Sequence, residues 1–417
     1  MPPFLLELLG DLHWTFVSVG IVSSVLFTGL VLRTRRRARA PVPAVLPPLT
    51  VLKPFDGVDP GMEDSFWTYL ATPYAGDREV LFCTAAENAE GRAIVERLIA
   101  RLARDPQPGV SARLLVPDPD ERPWITRKVW HMARGYAAAS HDLIASGDSG
   151  TRLRPGVLEA LVAALLASDE RGAAWAPYSV GEATTFGGRM TRVAWTGTTM
   201  NFLVIEALHR AFGQRPLLAG GLFVARRDAI EQIDGFAAAD GFLTEDYEVG
   251  RRIDANGWEV VPSPVPVERH LGPMPFAEFF GRQQRWNTIV WKLKDPLRIP
   301  YPLTMCGLAI APVTCVLASL AFPARIPEYA IALGALYAVR GLYGLLLNGL
   351  TAGRIRLETL LLLPLVDAVF LLTWARGPFI RTVQWRDVLL RVESGGRVTP
   401  VPPQGTWRSA DKEETEG

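Results

Sequence analysis

The sequence predicts an α/β domain with a mostly parallel sheet, held between membrane-crossing helices. Three observations predict it. Long apolar runs lie near both ends of the 417-residue chain, and about 20 residues at 1.5 Å each cross a ~30 Å hydrocarbon core. The middle alternates short apolar runs with stretches of helical spacing, the pattern of parallel strands joined by helices. A mean hydropathy of +0.15 is too apolar for a soluble chain of this length. With 49% hydrophobic and 21% charged residues, a disordered chain, a collagen and a disulfide scaffold are all excluded. The net charge of +1 gives no bulk field to attract nucleic acid, so none is expected as a partner. Cys83, Cys306 and Cys315 form no CxxC pair, which argues against a disulfide framework or a zinc site.

Residues 1–40 read as an anchor with a basic flank. His13–Leu32 holds no acid, Arg or Lys, and Arg33, Arg35, Arg36, Arg37 and Arg39 follow it. Positive charge stays in the cytoplasm, so the anchor exits there. A signal peptide would carry the charge before the apolar run. Residues 41–300 read as a cytoplasmic domain, of a protein expected in a bacterial inner membrane. Pro41–Pro48 is a linker. Strands are predicted at Leu49–Leu52, Glu79–Cys83, Ala112–Val116, Asp142–Ser146, Leu222–Ala225 and Glu259–Val261. Helices are predicted at Ala89–Arg104, Thr126–Ala139, after Arg154 with Pro155 in the first turn, and at Glu245–Asn256. Thr198–Phe212 has helical apolar spacing, and either lies in the membrane interface or forms a buried core helix.

Residues 301–376 read as three more spans, Tyr301–Phe322, Ile326–Leu350 and Leu357–Ala375. They enclose Arg340 and Asp367, and a charge there is costly. Either the two pair or Arg340 snorkels. Four spans would leave the C-terminus outside, whereas Arg376, Arg381, Arg386 and Arg391 argue for the cytoplasm, so that topology stays open. Residues 377–417 read as a polar tail, disordered from Pro400.

In parallel sheets, ligands bind at the carboxyl ends of strands. Gly147-Asp148-Ser149-Gly150 follows one such end. Its glycines admit a bulky ligand, and its carboxylate suits a divalent cation on a diphosphate; taken alone, such a triplet is usually a plain turn. Thr244-Glu245-Asp246-Tyr247 opens a helix. Thr244 is placed to cap it, and the helix dipole would keep Asp246 ionised. Gly220-Gly221 would leave room for substrate beside Asp246. Arg282-Gln283-Gln284-Arg285-Trp286 lies in a helical run from about Phe276 to Trp291. Arg282 and Arg285 share a face and can clamp phosphate oxygens, or face a bilayer surface.

This order of motifs resembles family 2-type glycosyltransferases with the GT-A fold, Rossmann-like and mostly parallel. More narrowly it is similar to the ceramide glucosyltransferases of family 21. The resemblance rests on Leu52–Pro60 (LKPFDGVDP), Gly147–Gly150, Glu245–Tyr247 and Arg282–Trp286, over about Leu49–Trp286. It implies inverting transfer of one hexose, most simply glucose from UDP-glucose, to the primary hydroxyl of a membrane lipid such as ceramide. Asp246 would be the catalytic base, with Gly220, Gly221 and Glu245 on the acceptor side. Lys53, Glu87, Lys128, Asp148, Arg282, Arg285 and Trp286 would face the donor. Asp148, joined by His270, would hold Mg2+ or Mn2+. The family's first aspartate should follow Cys83, where this chain has Thr84–Asn88, so Glu87 or Asn88 would stand in for it. A lipid N-acetylglucosaminyltransferase acting on a hopanoid, and an inactive scaffold that binds nucleotide sugar, are the alternatives. Too few spans are visible for a processive polysaccharide synthase.

Overall fold

A computed structural model describes residues 3–117, 124–198, 200–294, 298–299, 307–385 and 388–401. The chain begins with helix α1 (Pro3–Ala38), longer at both ends than the apolar run that signals it. Strand β1 (Leu49–Pro54), helix α2 (Met62–Ala71), β2 (Arg78–Cys83), α3 (Ala89–Arg104), β3 (Val110–Leu115), α4 (Arg127–Ala137) and β4 (Leu143–Gly147) follow. All six residues of β1 are buried, because helices cover both faces of a central parallel strand. Helix α3 buries Ile94, Val95, Leu98 and Leu102 on one side, and the Asn88 side chain caps it by accepting from Gly91 N–H.

Next come β5 (Thr151–Arg152), α5 (Val157–Leu166), β6 (Arg171–Trp175), β7 (Tyr178–Val180), α6 (Phe186–Gly197) and α7 (Phe202–Ala211). Gly156, at φ +84°, sits just ahead of α5, so Pro155 falls outside the first turn expected for it. The domain continues through β8 (Leu222–Arg226), α8 (Arg227–Glu231), α9 (Glu245–Ala255), β9 (Glu259–Pro262), β10 (Val267–Arg269) and α10 (Phe276–Leu293). The main sheet runs β3-β2-β1-β4-β8-β6-β9. Strands β3, β2, β1 and β4 are parallel. β8 runs antiparallel to both β4 and β6. This is the expected mixed α/β, parallel-rich architecture. A small second sheet, β5-β10-β7, lies beyond the carboxyl end of β4.

Among the described residues three helices are long and apolar enough to cross a membrane: Phe4–Ala38, Pro323–Ala352 and Glu358–Phe379. The expected span Tyr301–Phe322 lies partly outside the described residues. Its described part is α11 (Gly307–Ala321), 15 residues long. Helices α12 (Ile326–Ala352) and α13 (Glu358–Arg376) complete the bundle. Gly10 of α1 lies against Phe322 and Tyr329, so the turn between α11 and α12 sits at the far end of α1. Helix α12 then returns to the domain, where Asn348 Nδ2 donates to Thr196 Oγ1 at 3.0 Å. Helix α13 is tied to the domain at both ends. Glu358 pairs with Arg192 of α6, and Asn287 Nδ2 of α10 donates to Thr373 Oγ1 at 2.8 Å.

Helix α7 is a buried helix. Leu203, Val204, Ala207 and Leu208 pack with Phe27 and Val31 of α1 and with Tyr343, Leu347 and Phe370. The interfacial alternative for this stretch therefore gives way to the packed one. Arg340 and Asp367 pair at 3.0 Å with side chains 0% and 2% exposed. Snorkelling fails here because Arg340 is fully enclosed by the bundle.

The expected polar tail is corrected for residues 382–400. They form a three-stranded sheet of β11 (Thr382–Trp385), β12 (Val388–Val392) and β13 (Val398–Pro400). Val383, Leu390, Val392 and Val398 pack on Leu243 and Ile289 of the domain. Val398 N–H donates to the Gly241 carbonyl at 2.8 Å, and Leu243 N–H to that of Gly396 at 3.2 Å. The hairpin between β12 and β13 turns through Gly395 and Gly396, both with φ near +85°, a conformation glycine adopts without a steric penalty. This sheet therefore lies on the same side as the domain.

Removing one member of a buried ion pair leaves the other charge unpaired, at a cost of about 3–5 kcal/mol. Arg340→Met alone is expected to lower the melting temperature in detergent sharply. Arg340→Met combined with Asp367→Leu should recover most of the loss, as read by thermal unfolding of the purified protein.

Candidate active site

One cavity of about 700 Å³ opens at the carboxyl ends of β1 and β4. The loop after β4 carries Asp148 into it, and the first turn of α9 brings Glu245 and Asp246. Helix α10 adds Arg282, Arg285 and Trp286, and α4 adds Arg127, Lys128 and His131. The third sheet closes one side with Trp385, Val388, Leu390 and Val398.

Lys128 is the junction. Its Nζ lies 2.6 Å from both Asp148 Oδ1 and Glu245 Oε1. Burial opposes its charge, but Asp148, Glu245 and Asp246 outweigh that and hold its pKa above the ordinary lysine value. Asp148 also accepts from the Tyr178 hydroxyl at 3.0 Å and faces Arg269 Nη1 at 3.6 Å. Burial would raise the Asp148 carboxyl; Lys128 and Arg269 overcome it, so the group lies below the usual carboxylate range.

Asp246 behaves oppositely. Its Oδ2 accepts from Gly220 N–H at 2.6 Å, and its Oδ1 from Tyr247 N–H at 2.9 Å. Burial, with the Glu245 charge beside it, pushes its carboxyl up to about 7. The expected dominance of the helix dipole is thus corrected: desolvation is the larger effect. Thr244 makes no capping hydrogen bond from its side chain. The two glycines also serve differently than expected. A Cβ on Gly220 would come within 2.8 Å of Asp246 Oδ2, and one on Gly221 within 2.2 Å of the Tyr178 ring. They make room for the protein's own Asp246 and Tyr178, and neither lines the cavity.

Arg269, Arg282 and Arg285 converge on the cavity. Burial pushes Arg285 down to about 10, with Arg282 and Arg269 adding to the shift. Arg282 is lowered by burial and by Arg269. The Arg285 guanidinium stacks 4.7 Å from the Trp385 ring, and the Trp286 indole N–H is buried without a protein acceptor. Arg282 pairs with Glu278 at 3.1 Å and Arg269 with Asp148, which leaves the three guanidiniums in net positive excess and suits a polyanionic ligand.

Besides the two glycines, the structure leaves four more expected residues outside this cavity. Lys53 is fully buried in β1; its Nζ donates to the Asp148 carbonyl and, at 3.1 Å, to Thr151 Oγ1. It props the loop from behind, as the all-buried β1 position dictates. Glu87 is 64% exposed and pairs with Arg127 at 3.4 Å. Asn88 is engaged in capping α3. His270 sits against Gly61, and among the described residues no group of three or more His, Cys, Asp or Glu side chains could hold a metal ion. Asp148 and His270 therefore do not form a preformed cage. Asp148 alone fits a cation that arrives on a diphosphate, because Mg2+ takes one or two carboxylates plus substrate phosphates.

Sequence reasoning missed Arg269, Tyr178 and His131. Arg269 reaches Asp148 because β10 pairs with β5, Arg269 opposite Thr151, a contact between segments far apart in the chain. Each strand is only two or three residues long, so it carries no periodic signal.

Residues 14–398 match glycosyl transferase family 21. The chain belongs to that family. This family 21 glycosyltransferase is 24% identical over 376 residues to ceramide glucosyltransferase 3 of Caenorhabditis elegans, covering 85% of this chain and 75% of that protein. It is 28% identical over 169 residues to the ceramide glucosyltransferase of Komagataella phaffii, covering 40% of this chain and 32% of that one. Among solved structures, the mannosyltransferase PcManGT from Pyrobaculum calidifontis, in complex with GDP-Man and Mn2+, aligns over 85% of this chain and 99% of its own. Its identity is 15% and its TM-score 0.43.

Arg269→Gln removes a cation from the cluster and from Asp148. A charge-assisted hydrogen bond contributes about 1.5–3 kcal/mol, so pyrophosphate binding measured by calorimetry should weaken roughly 10- to 100-fold.

Proposed function

We propose that this enzyme transfers one hexose, glucose from UDP-glucose, to the primary hydroxyl of a membrane lipid such as ceramide, with inversion. One observation carries the reading. A carboxyl poised near 7 shares a cavity with a cluster of three arginines and a lysine, and the helices α6 and α10 that line it are bonded to α13, long and apolar enough to cross a membrane. The similarity to ceramide glucosyltransferases points the same way.

Asp246 takes the proton of the acceptor hydroxyl as the oxygen attacks the anomeric carbon. The new carbon–oxygen bond forms as the bond to the diphosphate breaks. A single displacement inverts that carbon, so an α-linked donor gives a β-glycoside. Negative charge grows on the leaving diphosphate, where Arg269, Arg282 and Arg285 meet it without reorganising. Asp148 would hold Mg2+ or Mn2+ brought by the donor, and the ion would supply further positive charge to the leaving group. Lys128 keeps Asp148 and Glu245 in place and sets the distance between donor and base.

The acceptor arrives from the bundle side. Trp195 and Trp286 line the cavity, and their helices α6 and α10 are bonded to α13 through Arg192–Glu358 and Asn287–Thr373. Arg33, Arg35, Arg36 and Arg37 near the end of α1, Arg354 and Arg356 before α13, and Arg376 at its end gather on the domain side. That distribution supports a cytoplasmic domain at a bacterial inner membrane.

The test uses detergent-purified protein with Mg2+, ceramide and UDP-glucose, with product followed by mass spectrometry. Wild type should form a β-glucosyl lipid, and Asp246→Asn should lose about 10³-fold in turnover. Product only from UDP-N-acetylglucosamine and a hopanoid would replace the substrates and keep the base. Product from wild type and Asp246→Asn alike would overturn the mechanism.

The pH dependence follows from the same carboxyl. The base works ionised, and its pKa is raised to about 7. Below that, kcat/KM should fall about tenfold per pH unit; above it the profile should level off, as measured by initial rates at low acceptor concentration.

A further inference from the structure

His131 is an unexplained group in this cavity. It lies in the middle of α4, is 1% exposed, and lines the cavity. Neither its Nδ1 nor its Nε2 has a hydrogen-bond partner in the protein. Buried polar groups are ordinarily paired, and leaving one unpaired costs free energy. Burial holds its pKa down to about 4, so the ring is neutral at physiological pH. A neutral imidazole offers one N–H donor and one bare acceptor nitrogen.

The position of His131 separates it from the diphosphate end. The charges around it are Asp56, Arg127, Glu87 and Arg134, whereas Arg269 faces Asp148 and Arg282 and Arg285 are neighbours of Arg269. Pro54 and Phe55, directly before Asp56, and Trp124, three residues before Arg127, also line the cavity, and the Trp130 ring lies 5.1 Å from that of His131. Flat apolar walls and one neutral donor–acceptor group suit a planar heterocycle with a polar edge. Phosphate would be drawn to the guanidinium cluster instead. The residues expected to stand in for the family's first aspartate are engaged elsewhere: Glu87 is exposed and paired with Arg127, and Asn88 caps α3.

We propose that His131 reads the hydrogen-bonding edge of the nucleobase of the sugar donor, and so selects which nucleoside diphosphate sugar the enzyme accepts. This rests on the reading of the cavity as a nucleotide-sugar site. An imide edge, with its N–H flanked by carbonyls, complements either face of the neutral ring. An amino-substituted edge such as that of cytosine or adenine offers a different donor–acceptor order and pairs less well.

The experiment measures binding, not turnover. Detergent-purified full-length protein is titrated with UDP, GDP, CDP, ADP and pyrophosphate by calorimetry in the presence of Mg2+. Wild type should prefer UDP, whose uracil alone among the four bases carries the imide edge, over GDP, CDP and ADP by roughly 10-fold or more. His131→Phe, which keeps the ring's bulk without its nitrogens, should bring the four nucleotides to within about 3-fold of each other. Its pyrophosphate affinity should stay unchanged, which also shows that the variant is folded. His131→Asn, with a donor and an acceptor, should restore part of the preference. Unaltered base preference in His131→Phe would overturn the inference while leaving the nucleotide site standing. Pyrophosphate binding without any nucleotide preference in wild type would also overturn it. Failure of wild type to bind every nucleotide and pyrophosphate would overturn the nucleotide-sugar reading itself.

Discussion

Lys128 Nζ sits 2.6 Å from Asp148 and 2.6 Å from Glu245, and the geometry of the cavity depends on that bridge. The two carboxylates come from different elements, a loop after β4 and the first turn of α9. Without a cation between them they would repel each other in a low-dielectric setting. The lysine comes from a third element, α4. Behind the loop, Lys53 fixes the backbone at Asp148 through its carbonyl. Two lysines therefore hold one loop, the half-buried Lys128 from the front and the fully buried Lys53 from behind.

The bridge also divides the labour of three acids. Asp148 is surrounded by cations and stays ionised. Asp246, one residue from Glu245, accepts backbone N–H bonds but contacts no cation directly. Burial dominates it, and its carboxyl is raised. The two environments thus drive the two carboxyls apart in protonation.

The motif-bearing loops were legible in the sequence because each is local. Gly147–Gly150 and Glu245–Tyr247 follow directly from strand and helix signals, and the strands around them have long apolar runs. Arg340 and Asp367 were legible as a pair because charges are rare in apolar helices. Arg269 and Tyr178 were not legible, because they arrive on strands of two or three residues paired over long chain distances. Lys53 was legible as a conspicuous charge but not as a prop, since its direction depends on the register of β1 with β4. The third sheet left a signal that went unread: Gly395-Gly396 between Val388–Val392 and Val398–Pro400 is a hairpin turn. Charged residues such as Arg391 and Arg397 on its open face gave the segment the look of a polar tail.

That sheet has a consequence for when the enzyme becomes competent. Its strands follow the membrane helices in the chain, yet they bond to Gly241 and Leu243, a few residues before Asp246. The ribosome therefore delivers this wall of the cavity after the bundle. A nascent chain that has completed its α/β domain but not its insertion has an open, unroofed site. The chain's own order of synthesis therefore sets when that wall can close.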